Sequence, residues 1–244
     1  MALYILVDYD NVPRSLLAPG PVAVGKTIFS RLPAAVVADE QQVTVRLYGG
    51  WRSGAQLTRA AQKLTPRIAA DSPTFVPRPG VPISAALVRL VVELATAPIG
   101  ASAPFENTLA KERTLRSFRP RASNASPCSK PSACGLGFLS GLTHSTACTT
   151  LGCGATAQEM LVRDEQKMVD TLMVADMAHL VFFGQAQDVV VVTSDTDIWP
   201  GVLLAIKAGC AVTQVHAIPN MRTPHALVSM LPNQVRNYFS QVTI

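Results

Sequence analysis

Apolar runs that end in acid recur along this chain. Leu3–Asp8 (Leu-Tyr-Ile-Leu-Val-Asp) is a short hydrophobic stretch closed by a carboxylate, and Val189–Thr193 is a second, followed at once by Ser194-Asp195-Thr196-Asp197. Continuous β-branched runs of this length predict central strands of a parallel sheet, covered on both faces. Val43–Tyr48, closed by Gly49-Gly50, predicts another strand and Ala211–Val215 one more; Leu87–Leu94 leans towards strand through Val88, Val91 and Val92. Helices are expected over Val22–Val37 with a bend near Pro33, over Ser53–Leu64 and over Pro200–Ala208. A longer helix is expected to start at a Thr156-x-x-Glu159 capping box and to continue through Met160, Leu161, Met168, Leu172, Met173, Val174, Leu180 and Val181 to Gly184. Strands alternating with helices imply an α/β fold around a mainly parallel sheet.

From about Pro120 to Ala155 neither helical nor strand periodicity is visible, and Ser, Pro, Gly, Thr and Cys dominate. Such a stretch cannot form a packed core unaided. With 244 residues, the expected organisation is a single domain over 1–244, interrupted by an irregular Cys-rich basic insertion over 120–155. Charge supports the separation: no acid falls between Glu112 and Glu159, whereas Arg113, Arg116, Arg119, Arg121 and Lys130 do, as suits contact with a polyanion. At 48% hydrophobic and 15% charged residues the chain is apolar enough to raise the question of a membrane span. No apolar run reaches the roughly 20 residues a spanning helix needs, and the first residues lack a basic leader, so a cytoplasmic protein is expected.

The strand-end acids are the first candidate chemistry. In open parallel sheets a site lies beyond the carboxyl ends of the strands, so Asp8 and the Asp195/Asp197 pair would share a crevice if their strands are neighbours. Clustered carboxylates repel unless a cation neutralises them, and all-oxygen ligands suit Mg²⁺ or Mn²⁺. Asp and Asn are also common in turns and helix caps, so either run alone is better read as turn chemistry; together they favour a site.

Three segments resemble the NYN domains of the PIN-like nuclease superfamily: Val7-Asp8-Tyr9-Asp10-Asn11, Lys167-Met168-Val169-Asp170 and Thr193-Ser194-Asp195-Thr196-Asp197. Arg46-Leu47-Tyr48-Gly49-Gly50-Trp51 also resembles the second strand of bacterial members. The resemblance implies a three-layer PIN-like fold and a metal-dependent ribonuclease, expected to act as an endoribonuclease, with Asp8, Asp170, Asp195 and Asp197 ligating or orienting Mg²⁺ or Mn²⁺ and Asn11 supporting them. The chemistry implied is hydrolysis of RNA phosphodiester bonds, the cation serving the attacking water and the charge that develops on phosphoryl oxygens. Ser194, Lys167, Arg46, Arg113 and Arg116 are the expected substrate contacts. Asp176 is expected on the helix surface or behind the ligands, since six residues place it about 240° around the helix from Asp170. Where members often carry Gly before the first acid of the third motif and Phe after the second, this chain has Ser194 and Ile198.

Two further patterns compete for attention. Gly20-Pro21-Val22-Ala23-Val24-Gly25-Lys26-Thr27 matches the phosphate-loop pattern of P-loop NTPases, but no strand leads directly into it and Pro21 removes a backbone donor. Cys128, Cys134, Cys148 and Cys153 form two loosely spaced pairs that could close a structural zinc site, with His144 as a substitute ligand, and so order the insertion. The leading expectation is therefore an RNA-cleaving enzyme, with a non-catalytic nucleic-acid-binding module of the same fold as the alternative and self-association open. Cys210 is expected as a buried apolar residue.

Overall fold

A computed structural model describes residues 3–81, 86–101, 103–112, 152–155 and 163–244. The chain divides into two compact units, residues 1–109 with 166–244, and residues 110–165. The first unit is built on β1 (Leu3–Asp8), β2 (Gln42–Tyr48), β5 (Thr74–Pro77), β6 (Leu87–Leu94), β9 (Asp188–Val192), β10 (Ala211–His216) and β11 (Phe239–Thr243). These seven strands form one sheet in the order β11-β10-β9-β1-β2-β6-β5. Every pair is parallel except β5 with β6. A small hairpin, β3 (Arg52–Ser53) and β4 (Gln56–Leu57), follows β2.

The helices are α1 (Arg14–Leu17), α2 (Pro21–Ser30), α3 (Arg59–Asp71), α4 (Val169–Phe182) and α5 (Trp199–Lys207), with a further short helix at His225–Ser229. Side chains alternate across each strand, and the two sets enter different cores. Leu3, Ile5 and Val7 of β1, Val43, Val45 and Leu47 of β2, and Val88, Leu90 and Val92 of β6 are buried with Val24, Ile28 and Phe29 of α2. Leu6, Val189, Val191 and Val212 are buried with Leu172, Met173 and Met177 of α4 and with Val202 and Ile206 of α5. The result is a helix–sheet–helix sandwich of α/β class. Gly25 is what lets α2 lie close, because a Cβ there would stand 3.2 Å from Val92 Cγ2 and 3.4 Å from Val45 Cγ2.

The expected strands at Leu3–Asp8, Val43–Tyr48, Leu87–Leu94, Val189–Thr193 and Ala211–Val215 are all present to within a residue or so at their ends. The helix expected from Ser53 begins instead at Arg59: residues 52–57 turn back as the hairpin, Gly54 taking φ +59. Thr58 then caps α3, its hydroxyl oxygen accepting from the Ala61 N–H and its hydroxyl donating to the Gly50 carbonyl at 2.9 Å. The long helix expected from Thr156 is shorter as well. Residues Arg163–Gln166 form a strand, β8, and Met168 adopts φ +61, so the helix starts only at Val169. Thr156 and Glu159 lie outside the described residues.

The second unit begins on β7 (Leu109–Glu112) and ends on β8, which pair with each other in a two-stranded sheet. Most of the insertion expected over 120–155 lies outside the described residues. Among the described residues no helix is long and apolar enough to cross a membrane.

Candidate metal centre

β1 and β9 are adjacent and parallel, with Val7 opposite Val192. From β1 the sheet continues through β2 on one side, and from β9 through β10 on the other, so the strand order reverses between them. Asp8 and Thr193 therefore leave the sheet side by side at a topological switch point, where a crevice forms beyond the strand ends. Both share strand parity with the residues that face α4. The N-terminal end of α4 lies at the same edge and brings Asp170 in its first turn, where a carboxylate complements the helix dipole.

A small set of hydrogen bonds fixes the acids. The Thr193 hydroxyl donates to Asp8 Oδ2 at 3.1 Å and accepts from the Asp195 backbone N–H at 3.0 Å. Asn11 donates its amide to Asp8 Oδ2 and, at 3.3 Å, to the Thr193 hydroxyl oxygen. The Asp197 N–H donates to Asp195 Oδ1 at 2.9 Å, which closes the turn carrying both acids. Carboxylate oxygens of Asp170, Asp195 and Asp197 lie within 4.8 Å of one another. Asp8 is not one of that trio; it is buried and accepts from the Thr193 hydroxyl.

Electrostatics follow from this crowding. Desolvation raises the Asp170 carboxyl above its ordinary 3.8, and the charges of Asp8, Asp195 and Asp197 push it further up. Burial also raises Asp8, against the hydrogen bonds from Asn11 and Thr193 that favour its charged form. Asp10 reaches solvent, yet desolvation by the surrounding chain and then the Asp8 charge bring it up to about 6. A bound cation would reverse these penalties. The donor set fits a hard divalent ion: three carboxylates, two of them half-buried, with oxygens close enough to share it.

A second layer of polar side chains was not legible as part of the site. Gln214 is buried on β10, donates its amide to the Thr193 carbonyl at 3.0 Å, and accepts from the Thr223 hydroxyl at 2.6 Å. His216, also buried, places Nδ1 3.3 Å from Ser194 Oγ and Nε2 3.4 Å from Thr223 Oγ1. The turn that carries Asp195 and Asp197 is thus held from the β10 side. Ser194, expected at a phosphate, has its hydroxyl against His216. The available signal was parity: Gln214 and His216 fall two and four positions after Val212, on the same side of β10.

Arg46, expected as a substrate contact, is 8% exposed and bonds Asp176 Oδ2 through Nε at 2.9 Å, with further bonds to Glu93 and to the Ala97 carbonyl. Asp176 is not on the helix surface: it is 0% exposed and also receives the Tyr48 hydroxyl at 2.6 Å and the Ile99 N–H at 2.7 Å. Burial by itself lowers the Arg46 pKa, but the charges around it, with Asp176 and Glu93 among them, leave it raised overall. The cluster is a buried ion network that ties α4 to β2 and to the loop after β6.

The phosphate-loop match has no phosphate loop in it. Pro21 to Lys26 are already helical, and Gly20 bonds onwards as the cap of α2. Lys167 lies between β8 and α4, half-buried, with its backbone N–H on the Thr108 carbonyl at 3.0 Å. Arg113, Arg116, Cys128, Cys134, His144 and Cys148 lie outside the described residues, and Cys153 is exposed. Cys210 is buried as expected, and desolvation pushes its thiol up to about 12. No protein-family model matches the chain, and comparison with curated proteins and with solved structures finds no match either.

Proposed function

We propose that this chain is a divalent-metal-dependent nuclease that hydrolyses RNA phosphodiester bonds. The observation that carries the reading is the convergence of Asp170, Asp195 and Asp197, from two separate segments, to within 4.8 Å at the switch point of a parallel sheet. The resemblance of the three acidic segments to NYN domains supports RNA as the substrate class and endonucleolytic cleavage as the mode.

In this reading Asp170, Asp195 and Asp197 hold Mg²⁺ or Mn²⁺ and Asp8 adds negative charge beside them. When bound, the cation supplies the positive charge that stabilises phosphoryl oxygens during in-line hydrolysis. The chain's own residues set the geometry. Thr193 and Asn11 fix the Asp8 carboxylate, the Asp195 side chain fixes the backbone of Asp197, and Gln214 fixes the carbonyl from which that turn begins. Such preorganisation keeps the carboxylates from rearranging as a substrate phosphate arrives.

The test is cleavage of a labelled RNA pool by wild type and by the Asp8→Asn and Asp195→Asn variants, with Mn²⁺, Mg²⁺ or EDTA. Cleavage that needs both the metal and the acids supports the proposal. A folded wild type that binds RNA and cuts none of it would replace the enzyme with a binding module.

A further inference from the structure

We infer that the exposed face of α3 is a phosphate track that leads a single-stranded nucleic-acid backbone to the acidic crevice. The inference rests on the nucleic-acid reading of that crevice. It starts from a gap in the charge pattern: between Glu40 and Asp71 the sequence has no acid, but it has Arg46, Arg52, Arg59, Lys63 and Arg67. Arg46 is consumed by the buried network. Three of the others, Arg59, Lys63 and Arg67, fall four residues apart on one helix, and all three are exposed.

Positions i, i+4 and i+8 line one stripe of a helix at intervals of about 6 Å, close to the interval between successive phosphates of an extended strand. None of the three has an ion-pair partner among the described residues, where the two salt bridges both belong to Arg46. Ala60, Ala69 and Ala70 flank the stripe with small exposed side chains, so a polymer could approach closely.

The placement of α3 connects the stripe to the site. Its first residue follows Thr58, which is bonded to the Gly50 carbonyl just beyond the end of β2. Two turns later Arg67 bonds the Pro19 carbonyl at 3.3 Å and lies close enough to Tyr9 to act on its phenol. Tyr9 is the residue after Asp8. Both ends of the stripe are thus anchored at the edge of the sheet where the carboxylates gather. A polyanion is repelled by those carboxylates, and a row of cations on α3 without ion-pair partners among the described residues offsets that repulsion and aligns the strand.

The probe is a fluorescein-labelled single-stranded RNA of about 12 nucleotides, with the DNA of the same sequence beside it. Anisotropy is measured in EDTA, so that nothing is cut, between about 50 and 200 mM salt. The Arg59→Gln/Lys63→Gln/Arg67→Gln variant should bind on the order of 10²-fold more weakly at about 50 mM salt, with a log–log salt slope shallower by about 2, as three contacts at roughly 0.7 each require. Lys63→Glu alone, at a site with no ion-pair partner among the described residues, should weaken binding with an unchanged melting temperature. Arg31→Gln/Lys207→Gln, at helix ends by the opposite edge of the sheet, should leave the slope unchanged. RNA and DNA losing the same slope would identify the backbone as what is read. An unchanged slope in the triple variant, or a wild type that binds neither oligonucleotide, overturns the track. Binding that follows the track without any metal-dependent cleavage would leave the track standing and remove only the nuclease reading.

Discussion

The Thr193 hydroxyl donates to Asp8 Oδ2 across the β1–β9 boundary at 3.1 Å, while the same oxygen accepts from the Asp195 N–H at 3.0 Å. One hydroxyl therefore sets the positions of acids that come from opposite ends of the chain. Thr193→Val keeps the shape and removes the bonds, leaving buried polar groups unpaired at a cost of about 1–3 kcal/mol. It should lower the melting temperature and weaken Mn²⁺ binding, read by the paramagnetic signal of free ion. Thr193→Ser should restore both. If Thr193→Val binds Mn²⁺ as wild type does, the hydroxyl does not organise the site.

The acid trio should destabilise the metal-free protein. The raised Asp170 pKa means that the native state holds its proton more tightly than the unfolded chain does. The associated stability is present below 3.8 and is lost as pH rises through the folded value. At neutral pH, metal-free Asp170→Asn should therefore melt higher than wild type. Saturating Mg²⁺ or Mn²⁺ should raise the wild-type melting temperature by roughly 5–10 °C, as about 2.7 kcal/mol at a hundredfold excess over Kd predicts, and should barely move the variant. Calorimetry with and without EDTA checks both, and an equal metal-induced rise in both proteins would rule out Asp170 as a ligand.

Asp10 gives a local readout of the same field. Its carboxyl should titrate at about 6 in the metal-free protein, observable by carbon NMR. Asp8→Asn removes the second cause and should lower the midpoint, but not to the ordinary 3.8, because desolvation is the larger cause. A midpoint that ignores Asp8→Asn would place the two carboxylates too far apart to interact.

His216 should make the fold acid-sensitive. Burial lowers its pKa below the ordinary 6.5, against the hydrogen bond to Gln241. The unfolded chain then binds the proton first, so stability is present above 6.5 and is lost as pH falls through the folded value. The melting temperature of wild type should drop on going from neutral pH to below that window, and that of His216→Gln should drop less. Parallel curves for the two proteins would contradict a neutral buried imidazole.

The Arg46–Asp176 pair predicts a different phenotype from a substrate contact. Removing one partner leaves an uncompensated buried charge, which costs about 3–5 kcal/mol. Arg46→Met should unfold at markedly lower denaturant, whereas RNA affinity of the folded fraction should hold. A large loss of affinity with normal stability would return Arg46 to the binding surface.

How much of this could be read in the residues depends on how each signal is carried. Four consecutive valines before Thr193, and the run into Asp8, could only be buried parallel strands, so the acids following them were legible at once. Asp176 was misread because its angle was taken from Asp170. Taken from Val169, Leu172, Met173, Met177 and Leu180, the same residue falls on the buried face. Arg46 alternates with Thr44 and Tyr48 on the α4 side of β2, but a strand pattern does not tell which buried acid will meet a buried guanidinium. β5 is four residues long and ends in Pro77, and β11 mixes Ser, Gln and Thr with its apolar positions, so neither had a period to detect. The 52–57 hairpin did carry a signal, a Ser-Gly turn, that the competing reading of Ser53 as a helix start obscured.

Asp8 and Thr193 are separated by 185 positions in the chain. A ribosome releases Asp8 first and must add nearly all the remaining strands before its partner exists. Contacts of such long range also form late, because the loop between them has to close before any contact rewards it. The trio of Asp170, Asp195 and Asp197 accordingly cannot assemble in any nascent chain that stops short of Asp197.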